Sequence, residues 1–112
     1  IYFIGEEISF AVRAWSYGWD IYSPHICLIY HYYLRTDAVK HWHDNKQWNK
    51  LELHSVKRVR HIVGTESSKD LSIDSCFRLG DVRSLNAYQH FSGIDFKKLE
   101  ISEGASRGEV NL

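Results

Sequence analysis

Between Glu6 and Tyr17, apolar residues return at Ile8, Ala11, Val12 and Trp15, the three- and four-residue spacing of a single helix face. Gly5 stands before this stretch and Gly18 after it, where a left-handed stop belongs, so the pattern predicts a helix. Upstream, Ile1 to Ile4 reads as a short strand. Downstream, Ile21-Tyr22-Ser23 reads as a strand that ends at Pro24, and Ile26 to Tyr33 is almost wholly apolar or aromatic, as in a strand buried on both faces. Arg35 to Gln47 has no period and reads as a loop that turns near Asp44-Asn45. From Lys50, the residues Leu53, Val56, Val59 and Val63 mark a second amphipathic helix, closed by Gly64. Thr65 to Arg83 is mostly polar and reads as a long loop with a short helical turn. Ser84 can cap a third helix that turns Leu85, Tyr88 and Phe91 inward and stops at Gly93. From Ser102 onward, Gly104, Gly108 and scattered charge predict a flexible tail, 102–112.

Composition narrows the function classes. A chain of 112 residues makes one domain at most. Its formal net charge is zero, so no global field draws it to nucleic acid or to an anionic membrane. No apolar run approaches the roughly 20 residues of a membrane-spanning helix, and the opening has no basic leader; a cytoplasmic location is expected. Two distant cysteines, Cys27 and Cys76, make a poor disulfide scaffold and read as buried or idle thiols. The chain has no methionine and opens in what looks like a strand already under way, which suggests a piece of a longer protein. Four Trp and seven Tyr are many for this length, and such rings serve either a core or a flat platform for sugars.

Few residues carry chemistry. Glu6 and Glu7 fall in the first turn of the first helix, where the macrodipole favours acids by about 0.3–1 kcal/mol each. That placement explains them structurally, and it also leaves two carboxylates at the edge of a possible cleft. His31, inside Ile29-Tyr30-His31-Tyr32-Tyr33, must satisfy two ring nitrogens where water would be scarce. A backbone carbonyl or a divalent metal would serve. Lys57, Arg58 and Arg60 read as a solvated face, or as bases that could meet a diphosphate or an acidic partner. His41-Trp42-His43 has no third ligand at good spacing and is a weak metal signal.

Taken in order, Gly5-Glu6-Glu7, Arg13-Ala14-Trp15, Gly18, Pro24 and His31 with Arg35 behind it resemble a region of the polypeptide N-acetylgalactosaminyltransferases. The likeness to the soluble hydroxyproline-directed N-acetylglucosaminyltransferases is closer. It rests on Gly5-Glu6-Glu7-Ile8-Ser9, Arg13-Ala14-Trp15 and Gly18-Trp19-Asp20-Ile21-Tyr22-Ser23-Pro24. It continues through Arg60-His61-Ile62-Val63-Gly64, Leu79-Gly80, Arg83-Ser84-Leu85, Tyr88 and Phe91-Ser92-Gly93-Ile94-Asp95-Phe96.

The resemblance implies an α/β fold, specifically the C-terminal, acceptor-side part of a GT-A domain over 1–101, with short strands and about three helices. It implies transfer of a sugar, GlcNAc, from a UDP-sugar to a protein or glycan hydroxyl, with retention of anomeric configuration. His31 would then be a ligand of Mn2+ or Mg2+ in the full-length enzyme, Glu6 or Glu7 would hold sugar or acceptor hydroxyls, and Arg35, Trp19 and Trp42 would contact substrate. The chain departs from that family in one respect: it contains no Asp-x-Asp or Asp-x-His. The nucleotide-binding half is therefore expected upstream, the piece alone is expected to be inactive and to hold no metal, and the edge of its interrupted sheet is expected to drive self-association. No nucleic-acid or membrane partner is expected. The competing expectation is a non-enzymatic, aromatic-rich module that binds carbohydrate or protein, or the remnant of a truncated reading frame.

Overall fold

Helix α1, Glu6–Ser16, forms where the periodicity places it, and its ends show why. Gly5 takes a left-handed conformation, φ 88°, as the N-cap. At the other end Gly18 is left-handed too; its amide donates to the Trp15 carbonyl at 2.8 Å, and the Trp19 amide reaches back to Ala14 at 3.0 Å. That pair of bonds closes the helix in a Schellman arrangement. The remaining elements of this computed structural model are α2 (His41–Asp44), α3 (Trp48–Ile62), a 3-10 turn (Ser75–Phe77), α4 (Leu85–Ser92), β1 (Ile94–Asp95), β2 (Glu100–Ile101) and α5 (Glu103–Ser106). The structure describes residues 1–34, 36–67, 71, 73 and 75–111.

The core lies where α1, α3 and α4 meet. Val12, Val63, Tyr88 and Phe96 are buried together, and Ile8, Ala11, Trp15, Val59, Leu79, Leu85 and Ile94 pack around them. The expected inner faces of α1 and α4 are thus the observed ones. Helix α3 is rotated from expectation near its start: Leu53 is 65% exposed, while Ser55 is buried and its hydroxyl accepts the Tyr2 amide at 2.6 Å. The Glu52 carboxylate likewise accepts the Ile4 amide at 3.1 Å, so 1–4 is tied to α3 by side chains and forms no strand.

The larger correction concerns the two strands expected over 21–23 and 26–33. Neither forms; both segments carry no regular secondary structure and are exposed, with Ile29 at 84% and Tyr30 at 87%. A strand buried on both faces needs a neighbour on its edge and a layer on each face. Among the described residues the only ladder is β1 against β2, antiparallel, with Ile94 opposite Ile101 and Asp95 opposite Glu100. At two residues per strand, that ladder offers no long open edge of the kind expected to drive self-association. The chain's accessible surface is 9229 Å², against about 6,400 Å² for a compact protein of this mass. The strip 19–34 is part of that surface, with Trp19, Ile21, Tyr22, Leu28 and Tyr32 all more than half exposed. Cys27 within it is exposed, not buried, and so is Cys76.

The segment from Ser102, expected to be floppy, carries α5 and is seated on α4. Ser102 caps α5 by accepting the Ala105 amide at 3.1 Å. Asn111 donates its backbone amide to the Phe91 carbonyl at 2.9 Å and its side-chain amide to the His90 carbonyl at 2.6 Å.

Candidate functional site

The C-terminal end of α1 is joined to residues 79–83, more than sixty positions away, through one serine. Ser16 is buried because its neighbours on that helix face carry the core. Its hydroxyl donates to the Arg13 carbonyl at 2.7 Å and accepts the Gly80 amide at 2.8 Å. The Ser16 carbonyl accepts the amides of Val82 and Arg83 at 3.0 and 3.2 Å. Gly80 allows this approach, since a Cβ there would lie 2.7 Å from the Ser16 carbonyl oxygen.

Arg83 is thereby aimed across the first helix. Its guanidinium lies 4.5 Å from the centre of the Trp15 ring and donates to the Asp20 carboxylate at 2.7 Å. Phe91 stacks on Trp15 at 4.6 Å and Tyr88 meets the same ring edge-on. Tyr88 in turn lies parallel to Phe96 at 6.1 Å, and burial pushes its phenol above its ordinary pKa, keeping it neutral. Arg13 completes the arrangement by donating to the Cys76 carbonyl at 2.8 Å, with its guanidinium near Phe77. The separate motifs of the sequence, Arg13-x-Trp15, Gly18-x-Asp20, Leu79-Gly80, Arg83-Ser84, Tyr88 and Phe91, are one connected hub.

Asp20, fixed by Arg83, anchors the strip Trp19 to Tyr22, and a cleft opens on each side of it. One, about 550 Å³, is completed by Phe10, Arg13, Ala14 and Tyr17. The other, about 760 Å³, runs beneath Trp15, Tyr88 and Phe91 to the segment 108–110. Both volumes fall in the range of small-ligand sites. A third cavity of about 400 Å³, lined by Phe3, Ile4, His41, Trp42, Trp48 and Glu52, is almost wholly apolar.

The residues expected to form one site are spread over these places. Glu6 and Glu7 sit exposed in the first turn of α1. Trp19 lines the two clefts beyond the other end of α1, about 16 Å away along an 11-residue helix. Trp42 belongs to the third cavity, against His41 and His43. His31 lies on the exposed strip, where its ring touches Tyr33 at 4.1 Å. Arg35 lies outside the described residues. No group of three His, Cys, Asp or Glu that could hold a metal ion occurs among the described residues, so those around His31 do not build a metal centre. Sequence reasoning missed Asp20 and Arg83 as a pair. Both stood in quoted motifs, but nothing local relates positions 63 apart.

No helix among the described residues is long and apolar enough to cross a membrane. No curated protein and no solved structure gives a match. A family model described as Glycosyltransferase (GlcNAc) matches residues 1–98, which include α1, the Asp20–Arg83 hub, α4 and β1. The chain belongs to this glycosyltransferase (GlcNAc) family.

Proposed function

We propose that this chain is the C-terminal, acceptor-side portion of a GT-A enzyme that moves GlcNAc from a UDP-sugar to a protein or glycan hydroxyl in the cytoplasm. The observation that carries the reading is the family match over 1–98. Membership in a glycosyltransferase family makes sugar transfer the leading chemistry, and the clefts beside Trp19 give a sugar or its acceptor a place to lie. The proposal assigns Glu6 to hold sugar or acceptor hydroxyls, since charge-assisted hydrogen bonds from hydroxyls to a carboxylate are short and directional. Glu7, rotated about 100° from it on the helix, is left as a helix-start acid.

The divalent cation belongs to the same proposal in a restricted form. The described residues do not build a site for it, so this chain contributes at most the His31 imidazole, with the other donors lying elsewhere. Self-association is also part of the proposal, with the exposed strip 26–34 as its surface in place of a sheet edge. Light scattering that reports a monomer at high micromolar concentration removes that part.

The test is kinetic. The 112-residue chain supplied with UDP-GlcNAc and a hydroxyl acceptor is expected to show no turnover above a His31→Ala control. Within the longer polypeptide, Glu6→Gln lowers turnover about tenfold or more, because the positioned carboxylate is lost, while Glu7→Gln changes it little. Equal turnover in the two variants would leave both as helix-start acids, and the assignment of Glu6 fails.

A further inference from the structure

The third cavity takes no part in the proposed chemistry, and its walls are unlike those of the two clefts. It measures about 400 Å³, close to the lower end for small-molecule sites, and is lined by Phe3, Ile4, His41, Trp42, Trp48 and Glu52. Its wall 1–4 is fixed by side chains from α3 and from the turn after α2. Ser55 accepts the Tyr2 amide at 2.6 Å, and Asn45 donates its side-chain amide to the Tyr2 phenol at 3.3 Å. The two Glu52 carboxylate oxygens accept the Ile4 amide at 3.1 and 3.3 Å. The His41 ring is the corner piece: it is tilted 36° against Phe3 at 4.6 Å and meets Trp42 at 4.7 Å and 76°. Phe3 and Trp42 therefore cannot be parallel, and they stand as inclined aromatic walls.

One carboxylate stands in this apolar lining. Glu52 has no cationic partner among the described residues. A neutral apolar occupant would strip water from that carboxylate and leave its charge uncompensated. A lysine-type ammonium holds its own water tightly, and aromatic walls cannot replace it. A quaternary ammonium meets both conditions. Its charge is spread over methyl groups that pack on ring faces, and the same charge faces the carboxylate. The Tyr2 and Ile4 amides are already taken, which leaves this wall no ladder for an extended peptide and favours a small molecule.

We propose that this cavity binds a small quaternary ammonium of the choline type, with Phe3, Trp42 and Trp48 against its methyl groups and Glu52 as its counter-charge. Such a cation is neither donor nor acceptor in sugar transfer, so the proposal stands or falls apart from the transferase reading.

The experiment titrates the 112-residue chain with choline and with the alcohol in which tert-butyl replaces the trimethylammonium group. It is run at about pH 8, where a free histidine side chain is neutral, with sodium chloride holding ionic strength constant. Calorimetry and tryptophan fluorescence follow binding. Choline is expected to bind saturably, and at least about tenfold more tightly than the alcohol. Glu52→Gln keeps an oxygen to accept the Ile4 amide but removes the charge. It is expected to weaken choline at least about fivefold while leaving the alcohol unchanged. Trp48→Ala weakens choline as well, and Trp48→Phe restores part of the loss. Circular dichroism checks that each variant is folded, and Glu52→Gln carries the test if Trp48→Ala is not. Absence of saturation up to about 50 mM choline overturns the proposal, as does equal affinity for choline and the alcohol, or unchanged choline binding in Glu52→Gln. A trimethyllysine peptide that binds more tightly than choline overturns the choice of a small molecule.

Discussion

Gly80→Ala tests whether the joint between α1 and residues 79–83 holds the molecule together. The added methyl would lie 2.7 Å from the Ser16 carbonyl oxygen, 2.9 Å from the Ser16 carbonyl carbon and 2.8 Å from the Tyr17 ring. The ring can turn away, since Tyr17 is exposed, but the two backbone atoms belong to a closed helix end and cannot. The loop must therefore retreat, which strains or breaks the bonds from Gly80, Val82 and Arg83 to Ser16. Overpacking of this kind costs about 1–3 kcal/mol. A weakened buried hydrogen bond adds about 1 kcal/mol. The total, about 3 kcal/mol, is a large share of the roughly 5–15 kcal/mol by which small domains are stable. At about 4 °C per kcal/mol for a chain of this size, the melting temperature falls by about 12 °C. Gly108→Ala is the control. Its φ is 79° but a Cβ would meet nothing within 4 Å, so only the left-handed penalty of about 1 kcal/mol applies. Thermal denaturation of both variants by circular dichroism decides the matter. If Gly80→Ala melts no lower than Gly108→Ala, the joint is not what fixes Arg83, and the account of the hub is wrong.

Three further outcomes follow from single residues. Ser84→Ala removes the hydroxyl that accepts the Ala87 amide at the start of α4 and costs about 1 kcal/mol in urea denaturation, with an unchanged m-value. Among the described residues Leu99 is the non-glycine residue held at positive φ, 57°, and its side chain is exposed; Leu99→Gly relieves about 1–2 kcal/mol of strain and returns about half of that as chain entropy, for a small net rise in melting temperature. The Lys98 backbone amide, then that of Lys97 and the Lys98 charge, hold the Asp95 carboxyl below its ordinary range. A carboxylate with a depressed folded pKa stabilises above its unfolded value, near 3.8, and loses that contribution as pH falls through the folded one. The melting-temperature gap between the native chain and Asp95→Asn therefore narrows on acidification below about pH 4, and a gap that widens there contradicts the assigned bonds.

What could be read along the chain is what neighbouring residues decide among themselves. The faces of α1 and α4 follow from the i, i+3, i+4 recurrence of Ile8, Ala11, Val12, Trp15 and of Leu85, Tyr88, Phe91. Their ends follow from Gly5, Gly18, Ser84 and Gly93, because a cap is a contract between residues a few positions apart. The family likeness was legible for the same reason, as short motifs in order, and residues 1–98 carry it.

A strand is a different kind of object, since its backbone groups are satisfied only by a partner far along the chain. Ile26 to Tyr33 has the composition of a buried strand, but composition supplies no partner, and the segment forms no strand and lies exposed. The site residues obey the same rule. His31 looked like a ligand because its neighbours looked buried, and once those neighbours are exposed that argument lapses. Asp20 and Arg83 looked unrelated until Ser16 and the bare Cα of Gly80 brought two distant turns within hydrogen-bond reach. Periodicity and caps are local energies and are written locally. The pairing of Arg83 with Asp20, the seat of 108–110 on α4 and the cleft between them depend on loop closures across tens of residues, which only the folded arrangement decides.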